Sequence, residues 1–145
     1  MYKLLFLFAM LGSFTLSAQD NNPVKWTFSV QKGSEANQYI LKAVAVVPEG
    51  FHVFAPDPGG DGLLIPTEIT FTTTGIKTGP MIAQRKPITK EMKGIGFVNY
   101  YEGEIEFTVT VEGSKLTKLV GQVTSQCCND NMCLPPADSP FNIKL

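Results

Sequence analysis

At 145 residues the chain carries one domain's worth of sequence. Twelve basic and 13 acidic residues leave a formal net charge of −1, with no basic stripe or arginine cluster, which excludes a nucleic-acid-binding footprint. Beyond the first 18 residues no segment approaches the roughly 20 consecutive apolar residues that a membrane-spanning helix needs.

The chain opens with Met1, Tyr2 and Lys3, a short start with one positive charge. Leu4 to Phe14 follows, apolar apart from Gly12 and Ser13, and Leu16-Ser17-Ala18 then offers small residues ahead of Gln19 and Asp20. A basic start, a short apolar run and a small-residue exit predict a secretory signal peptide over residues 1–18. The exported domain is expected over residues 19–145, in a periplasmic setting. A chain of that length buries a core without needing disulfides to hold it.

Everything after the leader reads as β-structure. Val24, Trp26, Phe28 and Val30 alternate with Lys25, Thr27 and Ser29, the period-2 signature of a half-buried strand. Gln38 to Val47 is apolar on both faces and reads as a central strand. Pro48-Glu49-Gly50 is a turn, and Phe51 to Phe54 a short strand. Ala55 to Gly62, rich in proline and glycine, is expected to be loop. Glu68 to Thr72 alternates again; residues 75–99 are less regular, broken by Pro80 and Pro87 and loosened by Gly94 and Gly96. Ile105, Phe107, Val109 and Val111 alternate with Glu104, Glu106, Thr108 and Thr110 in the clearest strand of the chain. Lys115 to Ser125 is a further strand, and Asn142 to Leu145 a short closing one. No helix, repeat or low-complexity tract is evident. Short strands separated by turn signals predict an all-β domain, an antiparallel sandwich of immunoglobulin-like type.

The last strand before the C-terminus leads directly into all three cysteines, Cys127, Cys128 and Cys133. Asn129, Asp130 and Asn131 favour a tight reversal, because their side chains bond nearby backbone and tolerate left-handed angles. A reversal there draws the ends of the segment together, and an exported protein meets an oxidising compartment. Three is an odd number, so one thiol is left over. A ring this small restrains the unfolded chain little. A bridge that contributes modestly to folding and lies in a polar loop is a candidate for exchange chemistry; a plain loop staple is the other reading.

The string Gln126-Cys127-Cys128-Asn129-Asp130-Asn131-Met132-Cys133-Leu134-Pro135-Pro136 resembles the cysteine loop of the periplasmic N-terminal domain of the DsbD thiol:disulfide interchange proteins. Upstream, Gly50-Phe51-His52-Val53-Phe54 resembles that family's glycine-plus-aromatic strand. Lys90-Glu91-Met92-Lys93-Gly94 sits where the family carries its cap loop, and Tyr100-Tyr101-Glu102-Gly103-Glu104 leads into the strand before the cysteine hairpin. The likeness spans residues 24–145. It implies an immunoglobulin-like fold and a cysteine pair that carries electrons from a membrane reductase to soluble thioredoxin-like proteins, with no cofactor and no metal. It implies that Cys133 is the second cysteine of the pair. The first is left open between Cys128, which fits members with four intervening residues, and Cys127, which fits those with five. Cys128 is favoured, because Asn129-Asp130 follows it in the same way. Glu91, Met92, Lys93 and Gly94, with Phe51 and Phe54, are the expected surroundings of the pair. Glu91 and Gly94 keep the family pattern, whereas Lys90 stands in place of an acid and Met92 and Lys93 in place of aromatics.

The chain is expected to act without the membrane segment and the thioredoxin-like domain of full DsbD. Partners are therefore expected to be separate thioredoxin-like or DsbD-type redox proteins meeting a monomer. No lysine or arginine lies inside the loop to lower a thiol pKa, and Asp130 close by would raise it. The expectation is a relay that supplies access and geometry while its partner activates its own thiol. Two other classes compete. His52 and Met132 with the cysteines would offer soft ligands to Cu(I), although a lone histidine is more often an ordinary strand residue. A binding module would instead present Tyr100, Tyr101, Phe51 and Phe54 as a recognition face, although Tyr100 and Tyr101 more simply split between the two faces of one strand. Glu102 and Glu104 share a strand face and make no acid–base pair with Glu91, so hydrolytic readings have no support.

Overall fold

The protein is described by a computed structural model covering residues 22–145; the expected signal peptide, residues 1–18, lies outside the described residues. Twelve strands and no helix make up the described chain. β1 (Lys25–Lys32), β2 (Gln38–Val46) and β9 (Glu104–Glu112) form the backbone of one sheet in the order β1-β2-β9, antiparallel throughout. The short β5 (Lys77–Thr78) and β6 (Ile82–Ala83) pair along the free edge of β9. A second sheet runs β12-β10-β4, from Ala137–Lys144, Lys118–Ser125 and Glu68–Phe71. A third runs β11-β3-β8-β7, from Cys127–Cys128, His52–Gly59, Gly96–Tyr101 and Ile88–Met92.

The alternation in the sequence sets the layers. Leu41, Ala43 and Ala45 of β2 and Ile105, Phe107, Val109 and Val111 of β9 turn one face inward and are buried. The half of that face nearer Val24 packs on Val53 and Ala55 of β3, Tyr101 of β8 and Cys127 of β11. The other half packs on Leu119 of β10 and Phe141 of β12. The first sheet is thus one layer of an immunoglobulin-like sandwich, and the two smaller sheets share the other. β2 is central, as its sequence predicts, but only one of its faces is buried: Val46 on the other is exposed.

Several boundaries differ from the sequence reading, two of them because proline is tolerated on a strand edge. β3 does not stop at Phe54 but continues through Pro56 and Pro58 to Gly59, with a register shift against β8. β11 covers only His52 and Val53 on the far side of β3, so the later residues lie on an edge where the missing proline N–H leaves no gap in a ladder. β12 likewise begins at Ala137 rather than Asn142, because Pro140 sits in a strand paired only with β10. β10 starts at Lys118, after a turn in which Lys115 has φ of 57°. The irregular stretch 75–99 resolves into β5 to β8.

Candidate functional site

The hairpin after β11 is held by its asparagine. The Asn129 N–H donates to the Met132 carbonyl at 2.9 Å. The Asn129 side-chain oxygen accepts from the N–H groups of Asn131 and Met132, both at 2.9 Å. One step out, the Leu134 N–H donates to the Cys127 carbonyl at 2.9 Å, and the Gln126 side chain donates to the Leu134 carbonyl at 3.2 Å. These bonds place Cys128 and Cys133 opposite each other as an antiparallel bridge with Cα atoms 4.0 Å apart, and the two are joined as a disulfide.

The two adjacent cysteines part company because strand residues alternate between faces. Cys127 pairs with Val53 and enters the main core, where it is free and 3% exposed. Burial pushes its thiol up to about 11. Cys128 pairs with His52 and faces the other side of the sheet. There it joins a small separate cluster with Phe54, Val98 and Tyr100, against which Met92, Ile95 and Leu64 pack. Within the disulfide Cys128 is 1% exposed, whereas Cys133 on the returning strand is open to solvent. An approaching thiolate therefore meets Cys133.

Above this cluster lies a cleft of about 360 Å³. Its walls are His52, Phe54, Leu64, Met92 and Ile95, the two bonded cysteines, the half-buried Asn129, and the exposed Lys90, Glu91, Lys93 and Asp130. The β7–β8 hairpin supplies one wall. It turns through Lys93 and Gly94, closed by the Ile95 N–H donating to the Met92 carbonyl at 3.1 Å, and Gly94 adopts φ of 82°, a conformation that favours glycine. Of the residues expected around the pair, Glu91, Met92, Lys93 and Phe54 line the cleft, and Gly94 forms the turn between its wall residues. Phe51 does not: it packs at the margin of the main core instead.

His52 is the residue that sequence reasoning underweighted. It stands beside Cys128 in the ladder, 8% exposed, with its ring 4.7 Å from Tyr100 and 5.7 Å from Phe54 between centroids. Burial lowers its pKa, opposed by Glu102 and Asp130 and assisted by Lys90. The one available signal was parity: in β3, His52 shares its face with Phe54 and not with Val53. Met132, in contrast, is 57% exposed and does not line the cleft. Among the described residues no group of three or more His, Cys, Asp or Glu is placed to hold a metal ion. The aromatic recognition face is also not formed, since Phe54, Tyr100 and Tyr101 are buried, Tyr101 in the main core and Tyr100 in the cluster around Cys128.

Residues 14–144 match the family described as thiol:disulfide interchange protein DsbD, N-terminal. No curated protein matches the sequence significantly. Among solved structures, the N-terminal periplasmic domain of ScsB from Proteus mirabilis superposes with a TM-score of 0.68 at 22% identity, over 90% of this chain and 49% of that one. This chain thus spans about half the length of that structure. The N-terminal domain of Neisseria meningitidis DsbD in its reduced form gives a TM-score of 0.53 at 18% identity, over 76% of this chain and 79% of that one. These likenesses show a shared fold.

Proposed function

Because the chain belongs to the family of DsbD N-terminal domains, we propose that it is a periplasmic thiol:disulfide exchange relay working through Cys128 and Cys133. The observation that carries this reading is the asymmetry of the bridge: one sulfur-bearing residue faces solvent at a hairpin tip, and its mate is buried under a cleft. In the charging direction a donor thiolate attacks the Cys133 sulfur, and Cys128 leaves as a thiolate. A second donor thiol then attacks the donor's own sulfur in the mixed disulfide, releasing Cys133 and leaving the donor oxidised. In the discharging direction Cys133 attacks an acceptor disulfide. Cys128 then attacks the Cys133 sulfur, closes the ring and frees the acceptor as a dithiol. Two electrons pass and no cofactor is required. The partners proposed are thioredoxin-like or DsbD-type proteins, acting on a monomer. The cleft walls Glu91, Met92 and Lys93 and the buried Phe54 are proposed to decide how closely a partner approaches, with Lys90 and Lys93 giving the rim a more basic character than an acidic cap would.

The test is trapping with a thioredoxin-like protein that keeps one cysteine, activated as a thionitrobenzoate mixed disulfide so that Cys133 attacks it and thionitrobenzoate leaves, alongside the reduced dithiol form of the same protein as reductant. Cys128→Ser is expected to accumulate a mixed disulfide at Cys133, and Cys133→Ser to form none. A wild-type bond that stays closed under a large excess of that reductant, or a reduction potential below about −300 mV, would mark a structural staple and refute the relay.

A further inference from the structure

His52 is directly opposite Cys128 in the β3–β11 ladder, so the two side chains rise from the same face of the sheet with Cβ atoms roughly 5 Å apart. Both line the cleft. The imidazole is wedged by Tyr100 and Phe54 through ring contacts, and among the described residues nothing hydrogen-bonds to its nitrogens. Its nitrogens are not among the buried unpartnered atoms of the described residues, so they are reachable from the cleft, where a thiol must lose its proton, and no protein hydrogen bond competes for them.

We propose that His52 is the proton acceptor for Cys128 in the ring-closing half of the exchange, an inference that rests on the relay reading above. In the mixed disulfide Cys133 is bonded to the acceptor and Cys128 is a buried thiol. The Cys128 proton passes to the neutral imidazole. The resulting thiolate attacks the Cys133 sulfur, the Cys128–Cys133 bond forms, and the acceptor sulfur leaves with the electron pair. The imidazolium returns its proton to that leaving thiolate or to water. Run backwards, the same ring protonates Cys128 as it departs from the disulfide. The groups whose charge acts on His52 are Glu102 and Asp130, which favour the imidazolium, and Lys90, which disfavours it; burial outweighs them, so the ring is neutral at pH 7 and ready to accept. Tyr100 contributes a ring contact only. Cys127 is on the opposite face and takes no part.

The experiment starts from the reduced protein and uses oxidised glutathione as the acceptor, with acid quenching and mass-spectrometric counting of the glutathionylated and ring-closed forms. In wild type the closure rate is expected to rise through an inflection below pH 6.5 and level off near neutrality. His52→Gln is expected to close at least about tenfold more slowly at pH 7, with a rate that keeps climbing as the thiol itself ionises, while the first step at Cys133 is unchanged. Closure in His52→Gln at the wild-type rate and with the wild-type pH profile overturns the proposal. Should that variant fail to fold, the wild-type inflection is compared with the imidazole titration followed by NMR in the Cys128→Ser glutathione adduct; agreement supports the assignment and disagreement overturns it. The relay reading fails separately: a wild type that closes on glutathione with the His52-dependent profile yet refuses a thioredoxin-like partner overturns the relay and leaves His52 assigned.

Discussion

Cys127 and Cys128 are neighbours in sequence with opposite environments, and the pleat of a two-residue strand decides between them. No periodicity can be read in two residues, which is why the sequence left the first cysteine of the pair open. The Cys127 thiol, surrounded by Val53, Tyr101 and Phe107, has its ionisation pushed from 9.0 to about 11 by burial. In the unfolded chain the same thiol loses its proton near 9.0. Above that pH the unfolded state is favoured by an ionisation the folded state resists, so stability present below 9.0 declines as pH rises toward about 11. Urea midpoints of wild type and Cys127→Ala, compared from pH 8 to 11, are expected to converge or cross, with wild type falling faster. Tyr101, whose burial also raises its pKa, contributes to the alkaline fall in both proteins and cancels in the difference. Exchange by Cys127→Ala is expected to match wild type, because Cys127 faces the core and not the cleft. His52 was under-read for a related reason: its weight comes from standing opposite Cys128, a long-range pairing that no local pattern encodes.

At the level of strands, legibility followed burial on one face. β1 and β9 announce themselves by alternation and β2 by an apolar run, and the split of Tyr100 and Tyr101 between faces follows from the two-residue period of a strand. The prolines of β3 and β12 concealed strand residues, since proline argues against a strand until the strand is known to be an edge. The close approach of β4, β10 and β12 was equally hidden, and it rests on Gly121. A Cβ at that position would collide with the Thr70 carbonyl, lie 2.6 Å from the Phe141 ring and 3.1 Å from the Phe71 Cα. Two of those neighbours are backbone in a paired strand and have nowhere to go. Gly121→Ala is expected to destabilise the fold by about 1–3 kcal/mol, the range for overpacking a filled site. The lesion lies in a sheet that carries no cysteine, so the reduction potential of the Cys128–Cys133 pair is expected to stay at the wild-type value in the same samples. A shifted potential would mean that the two smaller sheets are mechanically coupled.

For the whole molecule, the decisive question is what the disulfide does for the fold. A relay has to remain folded in both redox states, whereas a staple does not. The two larger apolar clusters, around Phe107 and around Leu119, contain neither Cys128 nor Cys133; only the small cluster under the cleft contains a bonded cysteine. The ring closes over a sequence separation of 5, and chain-entropy bookkeeping gives a closure that short about 2 kcal/mol. With the bridge closed, the hairpin also has hydrogen bonds of its own through Asn129 and Leu134, so its geometry is held by more than sulfur. For a domain of this size about 2 kcal/mol corresponds to a fall in Tm of roughly 10 °C or less. Calorimetry of the oxidised protein against the reduced, thiol-blocked protein is expected to show two cooperative transitions separated by no more than that, with the reduced form fully folded at 25 °C. Loss of the cooperative transition on reduction would show the bond fastening the domain. A protein that unfolds each time it surrenders its electrons' bridge could not present Cys133 to an acceptor, and the exchange mechanism would fall with it.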